Sequence, residues 1–372
     1  MIPSLLASAV ASAQNLSIFD PASPSAESIR KLSVLVLAIT GFIFVVVEGI
    51  LFYSIFRFRV GARSGDRAPT DESPDLAPTD DRATAGDPGT AGDRAATGAG
   101  TMEPPQVYGS KPIEIAWTAA PALIVFILVL VTARTLWEVN VPPPQPRAGD
   151  NTLFVTVVGR QWWWEYTYDH YNGRELGFTT ANELHVPAGG DGVARPVYLT
   201  LKSADVCHSF WVPRLAGKTD VIPGRLNSMW FRADQPGLYL GQCAEYCGTQ
   251  HANMLIRVVA EGPGDFESWL ESERQPAAEN PDASAGRSAF LAQSCVNCHR
   301  VRGTSAQGTY APDLTHVMNR QTLASGMVPN TPENLRRWVA DPQPIKPGCL
   351  MPAFGLGERE REDIVRYLLT LR

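Results

Sequence analysis

The chain has 372 residues, of which 44% are hydrophobic and 19% charged, with a formal net charge of −6. The acidic balance argues against a nucleic-acid binder, which would carry a basic patch or stripe, and the length allows two or more globular domains. The hydrophobic content is unevenly spread, with two apolar runs flanking a stretch almost free of large apolar side chains. That pattern belongs to a membrane protein.

Residues 1–31 hold a short apolar run followed by Ala11, Ser12 and Ala13, a small-residue cleavage pattern without a basic stretch before it. A cleaved leader and a plain N-terminal tail both fit. Residues 32–56 are nearly all apolar, and about 25 residues suffice to cross a bilayer. Glu48 interrupts this run, either facing a second membrane subunit or snorkelling to the interface. Arg57, Arg59, Arg63 and Arg67 follow and mark the cytoplasmic end, which places the N-terminus outside.

Residues 57–112 are rich in Ala, Gly, Asp, Pro and Thr and cannot bury enough surface to fold, so they are expected to be a disordered cytoplasmic tether. A second span is predicted over residues 113–137, with Trp117 and Trp137 as interfacial anchors. Everything beyond it is then extracytoplasmic, starting with the stiff spacer VPPPQP. Residues 147–262 carry β-branched runs such as LFVTVV, VYLTL and MLIRVV between Gly, Pro, Asn and Asp turns, the pattern of a sandwich or Greek-key barrel. A polar helix and linker occupy 263–284, and residues 285–372 read as helices over 286–293, 332–340 and 358–371. Thr331 is the expected N-cap of the middle helix, with Pro332 at its first position.

Six cysteines stand at 207, 243, 247, 295, 298 and 349. Cys243 and Cys247 share a segment with His251 and Met254, and thiolate, imidazole and thioether together are the donor set of a copper electron-transfer site. One thiolate serves a mononuclear site, whereas two on one loop can bridge two ions. A second imidazole must come from another loop, and His208 supplies it. Two extracytoplasmic cysteines could otherwise form a disulfide, but the added His and Met favour metal. Cys295, Cys298 and His299 form CxxCH, the attachment pattern of a covalent heme with His299 as axial ligand. A soft sixth ligand is expected from a distant loop. Met351 in KPGCLMPAF fits best, ahead of Met318 and Met327.

The segments DVCHSFWVP, KTDVIPG and GQCAEYCGTQHANM closely resemble the copper region of cytochrome oxidase subunit II. The resemblance covers both spans and the β-region. It implies a multidomain membrane protein with two transmembrane helices, an all-β cupredoxin-like Greek-key domain and a small all-α cytochrome c domain. It implies a binuclear copper centre (CuA) bound by His208, Cys243, Cys247, His251, weakly by Met254, and by the backbone carbonyl of Glu245, whose side chain would face a magnesium site at the junction with subunit I. In GRQWWWEY, Trp162 would be where electrons from cytochrome c enter, while Trp163 and Trp164 read as packing residues. Glu114 in IEIAWT matches a carboxylate at the mouth of a proton channel into subunit I; read alone, it is a solvated helix cap.

The KPGCLMPAF and APDLT segments resemble the distal and proximal loops of small c-type cytochromes, which implies that the Pro312 carbonyl accepts from His299. Cys207 departs from the family's usual aliphatic residue and is expected to be a small buried thiol. Cys349 reads as a bystander. The resemblance as a whole implies an electron-transfer subunit of a proton-pumping terminal oxidase, fed by cytochrome c and joined to subunit I and other membrane subunits. Three rivals share parts of this pattern: a nitric-oxide-reducing relative, a quinol oxidase subunit, which would lack the copper ligands, and a non-enzymatic copper-binding or copper-delivery protein.

Overall fold

The computed structural model describes residues 16–59, 109–140, 151–189, 192–193 and 195–372. The small-residue cleavage pattern, most of the predicted cytoplasmic tether and the proline spacer lie outside these residues. Helix α1 (Pro24–Arg57) and helix α2 (Lys111–Asn140) contain the two predicted spans and exceed them at both ends. Both are long and apolar enough to cross a membrane, and with no polar face they cannot be surface helices of a soluble domain. Ser23 caps α1 by accepting from the Ala26 amide at 3.0 Å, and its hydroxyl donates to the Leu215 carbonyl. The Ala22 amide donates to the Arg214 carbonyl at 2.8 Å. The chain entering α1 is thereby pinned to the β-domain.

Ten strands follow: β1 (Leu153–Arg160), β2 (Trp163–Tyr171), β3 (Arg174–Ala181), β4 (Glu183–Pro187), β5 (Val197–Ser203), β6 (His208–Trp211), β7 (Thr219–Val221), β8 (Asn227–Phe231), β9 (Gly237–Cys243) and β10 (Leu255–Glu261). They make two five-stranded sheets, ordered β3-β2-β1-β5-β8 and β4-β10-β9-β6-β7. Pairing is antiparallel except for β1 with β5 and β4 with β10. Period-two alternation sends Val155 and Val157 of β1, Trp164, Tyr166 and Tyr168 of β2, and Ile256 and Val258 of β10 into one shared core. Each such large side chain contributes about 1.5–3 kcal/mol by leaving water. Trp164 is wholly buried and meets Phe210 edge-on at 5.4 Å, so the packing role expected of it holds.

The predicted helix-plus-linker is not free chain in its first half. Helix α3 (Pro263–Arg274) buries Phe266 and Leu270 in the sandwich core, and Trp269 stacks on His185 at 4.3 Å. The sequence here looks polar because only one face of α3 is apolar.

The C-terminal domain consists of α4 (Ser284–Ala292), the short α5 (Cys295–Cys298), a two-stranded ribbon β11 (Thr322–Leu323) and β12 (Val328–Pro329), α6 (Pro332–Ala340) and α7 (Glu358–Leu368). Thr331 caps α6 as expected, accepting from the Asn334 amide at 3.2 Å. Helices α4 and α7 cross at Gly286, where a Cβ would lie 1.9 Å from the Asp363 carbonyl oxygen. This domain lies against the sandwich. The buried Glu183 carboxylate accepts from the Gln321 amide at 2.8 Å, the Thr322 amide at 2.9 Å and the Thr322 hydroxyl at 2.7 Å. Arg257 donates to the Gln321 side chain at 2.8 Å, and Gln250 donates to the Pro347 carbonyl.

Substitution Gly286→Ala is expected to destabilise the C-terminal domain by about 1–3 kcal/mol through overpacking. Its thermal midpoint, followed by circular dichroism, should fall while that of the β-sandwich stays unchanged.

Candidate redox centres

The antiparallel register of β9 and β10 sets the first site. It pairs Leu255 with Gln242, and the Cys243 amide donates to the Met254 carbonyl at 3.0 Å. The ten residues between are thus a loop closed at its base, with Cys243 and Met254 at its two ends. Strand β6 pairs Phe210 with Cys243, which delivers His208 from a separate loop to the same end of the sheet. All the donors predicted from sequence converge here. The Cys243 and Cys247 sulfurs lie 3.8 Å apart, far beyond the ~2.05 Å of a disulfide, and both thiols are free.

The remaining donors surround these two sulfurs. His208 Nδ1 lies 3.9 Å from Cys243 Sγ, and His251 Nδ1 lies 3.7 Å from Cys247 Sγ. Met254 Sδ lies 3.9 Å from Cys247 Sγ, and the Glu245 carbonyl oxygen lies 3.2 Å from Cys243 Sγ. Soft sulfurs and imidazoles crowded this closely, in a buried pocket, fit a copper or other thiophilic metal centre. The Glu245 side chain is exposed. The two sulfurs compete for protons: the Cys243 thiol is held down to about 3, first by its hydrogen bond with Cys247, while Cys247 is pushed well up by the same contact and by burial.

Asp205 was not anticipated from the sequence. Its carboxylate contacts His208 Nε2 at 2.8 Å and accepts from the amides of Gln161 and Val206, each at 2.6 Å. A carboxylate on Nε2 fixes the ring and leaves Nδ1 facing the sulfurs. Gly159 makes room for that ring, since a Cβ there would lie 2.8 Å from His208 Cδ2. Burial opposes the charged imidazolium, but Asp205 and Cys243 together raise His208. Asp205 is lowered, with burial outweighed by His208 and the two amides.

The expectation for Cys207 fails. It is exposed, because β6 begins at His208, which turns fully inward, and the pleat sends the preceding residue outward.

The second site is a cavity of about 310 Å³ lined by Cys295, Cys298, His299 and Met351, among mostly apolar side chains. His299 Nδ1 lies 2.7 Å from the Pro312 carbonyl. A carbonyl only accepts, so Nδ1 carries the proton and Nε2 keeps its lone pair. Burial lowers His299 and outweighs the Pro312 carbonyl, which works the other way. Met318 and Met327 do not line the cavity. Arg320 does; it is half-buried, its Nη2 donates to the Asp313 carbonyl, and its buried Nε has no hydrogen-bond partner among the described residues. An anionic group in the cavity would satisfy that donor. Cys349 is half-buried at the cavity wall, with Gln343 Nε2 at 3.4 Å from its sulfur.

Trp162 joins the two sites. It lines the cavity, is only 9% exposed, and its indole donates to the Cys247 carbonyl at 2.9 Å. Gln161 donates to the same carbonyl at 2.8 Å. Glu114 sits exposed in the first turn of α2, where a carboxylate meets the positive end of the helix dipole.

Three family descriptions match the chain: the periplasmic domain of cytochrome c oxidase subunit II over residues 153–261, cytochrome c over 283–372, and the transmembrane domain of cytochrome c oxidase subunit II over 11–73. Cytochrome c oxidase subunit 2 of Alkalihalophilus pseudofirmus is 32% identical over 363 residues, 96% of this chain and 92% of that protein. That of Bacillus sp. strain PS3 is 33% identical over 72% of this chain and 77% of that protein. Among solved structures, the periplasmic domain of subunit II of a Bradyrhizobium japonicum cytochrome oxidase shares 32% identity. It covers 35% of this chain and 96% of that one, with a TM-score of 0.30.

The His208–Asp205 pair sets a pH window for the metal-free protein. A lowered Asp205 contributes stability above the ordinary carboxylate range and loses it as pH falls through its own value. A raised His208 contributes fully below the ordinary imidazole value of about 6.5 and loses it as pH rises through its own value. Urea unfolding of chelator-stripped protein should therefore show stability declining at both ends of this range. Asp205→Asn should flatten the profile.

Proposed function

The chain belongs to the cytochrome c oxidase subunit II family, and from that premise we propose that it is the electron-receiving subunit of a proton-pumping heme–copper oxidase. In this reading Cys295 and Cys298 would hold heme c covalently, and His299 and Met351 would ligate its iron. His208, Cys243, the Glu245 carbonyl, Cys247, His251 and Met254 would hold a binuclear copper centre. When bound, these two groups supply one-electron relays between a donor cytochrome c and subunit I, where oxygen is reduced to water.

The observation that carries the reading is the position of Trp162, which lines the cavity of CxxCH and donates to the backbone of the dithiol loop. The residues around it have separable tasks. Asp205 and the Pro312 carbonyl orient the two imidazoles whose second nitrogens they hold. The Trp164 and Phe210 rings exclude water behind His208. Arg320, on the cavity wall, would be available to an anionic group of the bound heme. Because Trp162 is covered, an external cytochrome c meets the C-terminal domain rather than this indole. The exposed Glu245 carboxylate is free to share a divalent cation with subunit I, and Glu114 is the carboxylate available to a proton path. The arginines at the end of α1 support a cytoplasmic interhelical loop and extracytoplasmic redox domains.

Purified oxidase should show a mixed-valence dicopper resonance together with heme that resists acid–acetone extraction. Mononuclear copper, or none of either group, would refute the assignment and favour a copper-delivery role. Met351→Leu should leave the heme covalently bound but lower its reduction potential, because His/Met ligation raises it. Trp162→Leu should slow copper reduction by the chain's own heme while the heme is still reduced by an external donor, read by stopped-flow absorbance.

A further inference from the structure

Lys346 lies on the loop between α6 and α7, in the C-terminal domain, and is 3% exposed. Its Nζ donates to three backbone carbonyls: Trp162 at 2.8 Å, Asn253 at 2.9 Å and Ala324 at 3.1 Å. Trp162 and Asn253 belong to the β-domain. The first carries the indole between the two sites, and the second is the residue before Met254 in the dithiol loop. Ala324 belongs to the β11–β12 ribbon of the C-terminal domain. It and Ser325 both adopt left-handed backbone, with φ of 57° and 62°, a conformation that non-glycine residues hold only when their surroundings enforce it.

We propose that Lys346 is a positioning residue for internal electron transfer, its ammonium group fastening the heme-bearing domain to both the Trp162 segment and the copper loop.

The alternative, that Lys346 merely fills space, conflicts with the chemistry. An apolar side chain of similar length would fill the same volume without the cost of desolvating an amine. An amine is uniquely suited to this spot, because an ammonium has three donors and no acceptor, and three carbonyls converge on it from three chain segments. Burial pulls the amine down to about 7. The three acceptors work against that pull, since only the ammonium can donate to all of them at once. Directional bonds to Trp162 and Asn253 fix the C-terminal domain in register against the dithiol loop in a way that apolar contact, which tolerates sliding, does not.

The inference rests on the relay reading above, and one set of experiments separates their failures. In the intact oxidase carrying heme c and copper, Lys346→Met and Lys346→Gln are compared with the unaltered complex. An electron is injected into heme c by a light-triggered ruthenium complex, and copper reduction is followed optically. The expected result is a slowing of internal transfer by roughly tenfold or more, the scale on which small misplacements act. The optical and paramagnetic spectra, both midpoint potentials, and the rate of heme reduction by ascorbate with a mediator should be unchanged. Amide exchange over residues 348–350 and 253–254 should quicken in both variants, a readout independent of turnover. Internal transfer within about twofold of the unaltered rate, with spectra intact, overturns the positioning role. Loss of heme or copper in both variants also overturns it, because Lys346 would then serve folding. Absence of either spectrum in the unaltered complex is a different failure, that of the relay assignment itself.

Discussion

Two sulfurs held 3.8 Å apart without bonding, at the closed end of a β-sandwich, are the constraint around which the extramembrane structure is arranged. Thiols so close would form a disulfide in an oxidising compartment unless something else held them. The fold separates them by anchoring one at the end of a strand and the other mid-loop. Cys243 is the last residue of β9, fixed by its amide on Met254, while Cys247 is held through its carbonyl by Trp162 and Gln161. The His208 ring is then brought in by strand pairing and locked by Asp205. Both cysteines and His208 are thus set by bonds within the protein itself.

Holding Cys247 by its carbonyl has a consequence for the second domain. The indole that makes this bond is also part of the wall of the CxxCH cavity, so the C-terminal domain cannot move away without exposing Trp162. A tethered domain gains from its high effective concentration, but tethering alone leaves orientation free. Here orientation is set by groups that are costly to bury. Glu183 is 1% exposed; it accepts from Gln321 and Thr322 of the other domain and pairs with Arg257 of its own at 3.5 Å. Removing that segment would take three hydrogen bonds from a buried carboxylate, at a cost of about 1–3 kcal/mol or more.

Much of this was legible in the sequence because it resides in local patterns. The two spans are apolar runs, the strands alternate with period two, and CxxCH and the Cys, Cys, His, Met loop carry their chemistry within a few residues. Thr331 as a cap and Met351 on the cavity wall follow from equally local signals. What escaped is what depends on contacts between distant segments. Lys346 sits among prolines in a stretch that reads as surface loop, and nothing in PQPIKPG says that three carbonyls from elsewhere surround it. Glu183 follows a turn and looks like a solvated strand start. Cys207 stands where the family usually has an aliphatic residue, which suggested burial, whereas strand geometry places it on the side opposite the buried His208. Asp205 could have been found, since a carboxylate three residues before a ligand histidine lies within reach of its ring.

The polar character of the interdomain contact follows from the job rather than from stability. Buried charged groups add little net stability compared with apolar residues of the same size, and a purely apolar interface would hold the two domains together as well. It would not hold them at one angle. Electron transfer between fixed centres depends on distance and orientation, not on how tightly the domains adhere. An acid on one side and an amine on the other, each bonded to main-chain groups of the facing domain, convert adhesion into alignment. Side-chain bonds such as that of Arg257 to Gln321 can swing, whereas main-chain atoms of paired strands and closed loops stay where the fold puts them.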